Sequence, residues 1–156
     1  MKLAIGNDHI AIDMKQEIFQ HLNNKGIEMI DVGTNSTERF HYPISGYKAA
    51  KLVSEGKADG AILICGSGVG ISLAANKVKG IRACVTSDSY TAKMSKMHNN
   101  TNIIAFGCRV IGIETAKQIV DEWLGATYEG GRFDERINMI SEIENTGLLK
   151  AAEEEI

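Results

Sequence analysis

The first candidate for chemistry is a cysteine at the head of a glycine-rich segment, Cys65-Gly66-Ser67-Gly68-Val69-Gly70-Ile71. An apolar run, 61–64, precedes the segment and a helix-like stretch, 72–76, follows it, which predicts a turn between a buried strand and a helix. Backbone N–H groups in glycine-rich turns approach ligands closely, and a helix N-terminus adds partial positive charge. The segment is therefore suited to bind a phosphate, a carboxylate or a developing oxyanion, and it favours a thiolate at Cys65.

A simpler interpretation of Cys65 is packing, because free cysteine is among the most buried residue types. The spacing of the glycines matches neither the G-x-G-x-x-G fingerprint nor a P-loop, which ends in Gly-Lys-Ser/Thr. The sequence therefore does not predict ATP or NAD binding.

Polar side chains also stand where other predicted strands end. The strand ends are Asn7-Asp8-His9, Cys65-Gly66-Ser67 and Gly107-Cys108-Arg109. Ligands of open parallel sheets gather beyond the carboxyl ends of the strands, so neighbouring first and third strands would place Asp8, His9 and Cys65 in one crevice. The alternative for Asp8 is a helix cap, and for His9 an exposed loop position.

Two further groups have both structural and functional interpretations. Arg132 and Arg136 lie four residues apart behind Gly130-Gly131, so one helical face could grip a phosphate with both guanidinium forks. An exposed, charged helix start explains them equally well. His98 precedes Asn99 at a predicted helix end, where histidine commonly pairs with the helix dipole.

Composition restricts the class of protein. The chain has 156 residues, 44% hydrophobic content and a net charge of -3, which predicts one domain over residues 1–156 and argues against nucleic-acid binding. Three cysteines without C-x-x-C spacing predict neither a disulfide framework nor a zinc site, and Cys84 and Cys108 are expected to be core thiols. No apolar run approaches 18 residues, so neither a membrane span nor a leader is predicted, and the cytoplasm is the expected compartment.

The apolar runs alternate with amphipathic stretches along the chain. Strands are predicted near 2–6, 28–32, 60–65, 82–86 and 102–106, and helices near 12–25, 43–55, 70–77, 89–98 and 112–124. This order predicts a three-layer α/β/α Rossmann-like fold with a five-stranded parallel sheet. Residues 132–150 predict an added C-terminal helix, which often packs on a partner subunit, and residues 153–155 an acidic, solvated tail.

Taken together, several motifs resemble the type B ribose-5-phosphate isomerases and the wider family that includes galactose-6-phosphate and allose-6-phosphate isomerases. The motifs are Asn7-Asp8-His9, Tyr42-Pro43, Ile64 to Ile71, Ala74-Ala75-Asn76-Lys77, Gly80-Ile81-Arg82-Ala83, His98-Asn99-Asn100-Thr101-Asn102 and Gly130-Gly131-Arg132. The resemblance extends from Met1 to about Glu144 and implies an aldose-ketose isomerase that needs no metal and no redox cofactor.

The resemblance also implies roles for individual residues. Cys65 would be the general base that moves a proton between C1 and C2, Ser67 would help to move protons between the two oxygens, and His98 would open the sugar ring. The N–H groups of the turn, in Gly66, Gly68, Val69 and Gly70, would stabilise the enediolate. Asp8 would contact sugar hydroxyls, Tyr42 and Asn99 would line the pocket, and His9, Arg109, Arg132 and Arg136 would bind the phosphate.

Departures from the family pattern concern the substrate. Asn7 stands where Cys or Ser is frequent, Ser67 stands where Thr is commoner, and His41 is also seen in galactose-6-phosphate relatives. A six-carbon sugar phosphate is therefore the alternative substrate to ribose 5-phosphate. The pair His98-Asn99 favours ribose 5-phosphate, and Cys65 argues against a non-catalytic sugar-phosphate sensor on the same fold.

The resemblance finally implies a homodimer, or a dimer of dimers, with a two-fold interface. Because His98 and Asn99 end a different helix from the one that follows Cys65, we expect the active site to be shared. Cys65 and Asp8 would come from one chain, and His98, Asn99 and Arg109 from the other.

Overall fold

The structure is a computed structural model that describes residues 1–153, in which strands and helices alternate along the chain. The strands are β1 (Lys2–Asn7), β2 (Glu28–Asp31), β3 (Gly60–Cys65), β4 (Ala83–Val85) and β5 (Ile103–Gly107). The helices are α1 (Ile12–Asn23), α2 (Tyr42–Ser54), α3 (Val69–Ala75), α4 (Ser89–Asn99), α5 (Ile113–Gly125), α6 (Arg132–Thr146) and α7 (Lys150–Glu153).

All strands run parallel in one sheet, in the order β2-β1-β3-β5-β4. In the register of the central strands, Asn7 of β1 lies beside Ile64 of β3, and Cys65 lies beside Gly107 of β5. β2 lies on one side of β1, whereas β3, β5 and β4 lie on the other side. The direction in which strands are added to the sheet therefore reverses between β1 and β3. The crevice beyond their carboxyl ends is the position where such sheets bind ligands.

Alternating side chains of the central strands form two hydrophobic cores, one on each face of the sheet. On one face, Leu3, Ile62 and Ile104 pack with α1, α4 and α5. On the other face, Ala4 and Leu63 pack with α2 and α3. The predicted three-layer arrangement and the predicted parallel sheet are thus confirmed.

The C-terminal region differs from the prediction of one added helix over 132–150. Gly147 adopts a left-handed conformation with φ +73°, which ends α6 at Thr146, and α7 begins only at Lys150. Phe133 is the buried residue of α6, whereas Ile140 and Ile143 are each 47% exposed. Residues 154–156, and with them most of the predicted acidic tail, lie outside the described residues.

Within residues 1–153, no helix is both long enough and apolar enough to cross a bilayer.

Candidate active site

Cys65 is the last residue of β3, and its thiol lies beneath the turn that leads into α3. The Gly68 N–H donates to the Cys65 sulfur at 3.1 Å, and only 4% of Cys65 is exposed. Gly68 has φ +79°, and a Cβ atom there would lie 2.7 Å from the carbonyl carbon of Phe106, so only glycine fits this turn. An N–H that points at a sulfur atom stabilises negative charge on it.

Ser67 stands on the exposed side of the same turn. Its hydroxyl oxygen accepts a hydrogen bond from the Val69 N–H at 3.3 Å. A hydroxyl that accepts one bond keeps its own proton free to donate. The Ser67 hydroxyl is therefore exposed and has a free proton on the same turn as Cys65.

Asp8 and His9 follow β1, which is the neighbour of β3. Asp8 is 7% exposed, and its carboxylate accepts the Ile10 N–H at 3.2 Å. It does not cap α1, whose N-cap is Ala11. The His9 Nδ1 atom lies 3.2 Å from the N atom of Phe40, whose N–H donates to it, and 3.3 Å from the carbonyl oxygen of the same residue.

Arg109 and Tyr42 border the glycine-rich turn from two sides. The Arg109 N–H donates to the Gly66 carbonyl oxygen at 3.1 Å, and the Arg109 side chain is exposed. The ring of Tyr42 packs directly against the backbone of Gly70. The residues that meet here form what we call the carboxyl-edge group: Asp8, His9, Tyr42, Cys65, Gly66, Ser67, Gly68, Val69, Gly70 and Arg109.

The remaining candidates form a second cluster, the amino-edge group, which comprises His98, Asn99, Arg132 and Arg136. The imidazole of His98 stacks on the ring of Phe133, with 4.2 Å between ring centroids and 13° between ring planes. The guanidinium carbons of Arg132 and Arg136 lie 4.9 Å and 5.7 Å from the centroid of the same ring. Phe133 thus contacts three members of this group, His98, Arg132 and Arg136.

The two groups lie at opposite edges of the sheet. Asn102, which follows α4, accepts the Ala61 N–H at 3.1 Å and therefore lies beside the start of β3. Cys65 lies at the other end of β3, and five residue steps of about 3.3 Å separate Gly60 from Cys65 by about 16 Å. One chain therefore does not bring His98 and Asn99 to Cys65.

The expected position of Arg109 needs correction. The sequence analysis assigned Arg109 to the same chain as His98 in a shared site, opposite Cys65. In the structure β5 neighbours β3, and the turn after β5 runs beside the turn after β3. Arg109 therefore belongs with Cys65 of its own chain.

Sequence analysis missed the residues that support these groups. Phe133 and Glu129 surround His98, and the Glu129 carboxylate lies 3.9 Å from His98 Nε2. Phe133 stands four residues before Ile137, so the apolar spacing of α6 was a signal that could have identified it. Asn7 is fully buried, and its amide binds the backbone of Asp8 and Thr34, so its side chain does not line the crevice.

The two other thiols differ from Cys65 in their surroundings. Cys84 and Cys108 are partly buried and pack against the core that contains α1 and α5. Burial raises the pKa of the Cys84 thiol. Burial also raises the pKa of the Cys108 thiol, and the negative charge of Asp8 raises it further.

Among residues 1–152, no three His, Cys, Asp or Glu side chains converge as a metal site would require. The fold and the site together define an α/β protein with a thiol in a glycine-rich turn at the point where the strand order reverses.

Comparison with known proteins identifies the family. The sequence pattern of the Ribose/Galactose Isomerase family matches residues 3–140. The chain is 54% identical over 143 residues to ribose-5-phosphate isomerase B of Escherichia coli (strain K12). This alignment covers 92% of this chain and 96% of that protein. It is 45% identical over 137 residues to galactose-6-phosphate isomerase subunit LacB of Clostridium acetobutylicum, covering 88% of this chain and 79% of that protein.

A solved structure of Clostridium thermocellum ribose-5-phosphate isomerase B matches the fold with a TM-score of 0.93 and 49% identity, over 95% of this chain and 100% of that one. The chain belongs to the ribose/galactose isomerase family, as its motifs predicted.

Proposed function

We propose that the protein is an aldose-ketose isomerase that interconverts ribose 5-phosphate and ribulose 5-phosphate. The observation that carries the proposal is the Gly68 N–H directed at the Cys65 sulfur, in the crevice that Asp8 and His9 also border. Proton abstraction next to a carbonyl needs a base and donors for the resulting oxyanion, and this turn supplies both. Membership of the family supports the same reaction.

In this mechanism the open-chain aldose binds with its C2 proton toward Cys65. The thiolate removes that proton, and the electron pair moves toward the carbonyl to form an enediolate. The Gly68 and Val69 N–H groups are bonded within the turn to Cys65 and Ser67, so the N–H groups of Gly66 and Gly70 are the ones assigned to stabilise the enediolate. Ser67 helps to transfer a proton between O1 and O2. Cys65 then returns its proton to C1, which yields the ketose and restores the thiolate.

The other carboxyl-edge residues bind the substrate. Asp8 accepts hydrogen bonds from sugar hydroxyls, and Tyr42 forms a wall of the pocket above Gly70. His9 and Arg109 bind the phosphate, for which guanidinium forks are well suited.

We further propose that the active site is completed by a second copy in a homodimer, or in a dimer of dimers. The separation of the two residue groups within one chain supports this proposal, because His98 can open the sugar ring only if it reaches the Cys65 crevice. The partner's copies of His98, Asn99, Arg132 and Arg136 would face that crevice across a two-fold axis.

The alternative substrates are six-carbon sugar phosphates, such as allose 6-phosphate or galactose 6-phosphate. The higher identity to the ribose-5-phosphate enzyme than to the galactose-6-phosphate subunit, 54% against 45%, supports the five-carbon substrate. A sugar-phosphate sensor would need the arginines but not Cys65. We also propose that residues 1–156 form one isomerase domain that works in the cytoplasm, where its three free thiols stay reduced.

The test is an isomerisation assay with purified protein after dialysis against a chelator and with no cofactor added. We expect ribose 5-phosphate and ribulose 5-phosphate to interconvert, with a higher kcat/KM than for allose 6-phosphate or galactose 6-phosphate. Preference for a six-carbon sugar would overturn the substrate assignment, and binding without turnover would identify a sensor.

A further inference from the structure

Lys15 is a buried cation that the proposed chemistry does not use. It is only 1% exposed. Its Nζ atom lies 2.7 Å from Asp31 Oδ2, 3.0 Å from the Thr34 carbonyl oxygen and 2.6 Å from Asn35 Oδ1. An ammonium has three donors, and here each has an acceptor. Asp31 is the last residue of β2, and Thr34 and Asn35 lie in the segment 32–41, which we call the β2–α2 loop.

Asn7 holds the same loop from the carboxyl end of β1. Its Nδ2 donates to the Thr34 carbonyl oxygen at 3.1 Å, and its Oδ1 accepts the Thr34 N–H at 3.0 Å. The fit depends on Gly33, because a Cβ atom there would lie 1.8 Å from Asn7 Oδ1. Asn7 and Lys15 therefore fix one end of the loop from two directions.

Packing contributes little to the order of this loop, since residues 35–39 are all exposed. Polar contacts must therefore hold it. An unpaired buried ammonium would be strongly unfavourable, so Lys15 resists any loop movement that removes its acceptors.

The far end of the loop holds His9. The Phe40 N–H donates to His9 Nδ1 at 3.2 Å, and the Phe40 carbonyl oxygen lies 3.3 Å from the same nitrogen. The hydrogen bond from the Phe40 N–H requires an unprotonated Nδ1, so the proton of the neutral ring is then on Nε2, which becomes a donor. A ring with its proton on Nδ1 donates instead to the Phe40 carbonyl oxygen, so the position of Phe40 relative to the ring decides which tautomer is favoured.

We propose that Lys15 and Asn7 are positioning residues that fix the β2–α2 loop so that Phe40 holds His9 with its Nε2 proton directed to the substrate phosphate. This inference rests on the proposed function for the identity of the ligand. The tautomeric state of His9 is a property of the unliganded protein, so it can be measured whether or not the enzyme turns over.

Asn35 offers a mild test because it is exposed, so its replacement leaves the core unchanged. Asn35→Ala removes one acceptor from Lys15, whereas Asn35→Asp keeps an oxygen in the same place. We expect Asn35→Ala to raise KM for ribose 5-phosphate about 3- to 10-fold, with kcat within about twofold, because ground-state and transition-state binding weaken together. Asn35→Asp should restore the native KM, and Lys15→Met should exceed the effect of Asn35→Ala.

The decisive readout is the pair of imidazole ¹⁵N shifts of His9, measured at a pH where the ring is neutral. The native protein should show an unprotonated Nδ1 and a protonated Nε2, while Asn35→Ala and Lys15→Met should show shifts averaged between tautomers. Affinity for inorganic phosphate should fall in parallel. Lys25→Met removes another lysine close to α1, one that pairs with Asp121 and not with the loop, and should change none of these values.

Native His9 shifts and native phosphate affinity in both Asn35→Ala and Lys15→Met would overturn the inference. If Lys15→Met does not fold, the Asn35 pair decides the question alone. If the native protein shows no isomerisation while the His9 shifts respond as expected, the proposed function fails, but the role of Lys15 and Asn7 in fixing the β2–α2 loop is supported.

Discussion

The three thiols differ in whether their surroundings favour the charged sulfur. Burial raises the pKa of Cys84 and of Cys108, so at neutral pH both stay protonated, and their thiolate fraction grows only as the pH rises toward the raised values. Cys65 receives the Gly68 N–H instead. Because the thiolate is the reactive form, we expect iodoacetamide to alkylate Cys65 fastest at neutral pH, despite its burial.

Mass mapping of the alkylated protein checks this prediction. A sugar phosphate should protect Cys65, and labelling of Cys84 and Cys108 should increase as the pH is raised. Preferential labelling of Cys84 or Cys108 at neutral pH, without protection by the sugar phosphate, would contradict the assignment of Cys65 as an activated thiolate.

Arg132 and Arg136 are predicted to bind the phosphate and not the reacting carbons. Loss of one charge-assisted hydrogen bond costs about 1.5–3 kcal/mol. The substitutions Arg132→Ala and Arg136→Ala should therefore raise KM for ribose 5-phosphate by roughly one to two orders of magnitude and leave kcat nearly unchanged. Unphosphorylated ribose is the control substrate, and an equal loss on both sugars would show that the arginines are structural.

Among the elements, α4 is stabilised by a side-chain cap at its N-terminus as well as by packing against the core. The N-cap Asp88 accepts the Thr91 N–H at 2.7 Å, and this bond is the largest cause of the lowered pKa of Asp88. A lowered folded-state pKa contributes stability above the ordinary pKa, and the contribution is lost as the pH falls through the lowered value.

Asp88→Ala should therefore lower Tm by about 2–4 °C at neutral pH. The difference from the native protein should shrink in acid, where Asp88 is protonated. The Tm difference is measured by thermal unfolding at neutral pH and in acid, followed by circular dichroism. The matched control is Ser87→Ala, a change at the adjacent exposed residue. A Tm loss that is the same at both pH values would show that the carboxylate is not the cause.

Local patterns predicted the elements because most strands are short apolar runs and the helices show amphipathic spacing; β2, with the sequence Glu-Met-Ile-Asp, has only two apolar residues. They did not predict that α6 ends at Thr146, since the apolar spacing continues past Gly147; the signal that was missed is Gly147 itself, whose left-handed backbone ends the helix. The positions of Asp8, His9 and Cys65 at strand ends predicted that they would lie close together if β1 and β3 were neighbours, which they are. Arg109 was assigned to the wrong chain because its position depends on β5 lying beside β3, which no local pattern reveals.

The supports of the site were harder to predict than its reactive groups. Phe40 holds His9 through backbone atoms, which any residue type provides. Lys15 reaches partners 16 to 20 residues away, and its sequence neighbours give it the pattern of an ordinary amphipathic helix. Contacts of these two kinds have no signature in residue type or spacing.

In the whole molecule, the separation of Cys65 from His98 leads to a complementation test. Cys65→Ala and His98→Ala proteins should each be inactive. If each site combines Cys65 of one chain with His98 of its partner, a mixed dimer has one doubly altered site and one intact site. Co-refolding equal amounts should then restore up to about a quarter of the native sites.

Activity after co-refolding, compared with each variant refolded alone, measures the recovery. The formation of mixed dimers is verified by mass spectrometry of the intact assembly. No recovery despite demonstrated mixed dimers would place Cys65 and His98 of each site on the same chain.

The most direct test of the mechanism compares Cys65→Ala with Cys84→Ala in deuterated water. Both substitutions change little buried volume, and circular dichroism verifies that both variants fold. With ribose 5-phosphate as substrate, we predict that Cys65→Ala neither forms ribulose 5-phosphate nor incorporates deuterium at carbon, while Cys84→Ala does both at close to the native rate. Near-native turnover or deuterium incorporation by Cys65→Ala would contradict the assignment of Cys65 as the base.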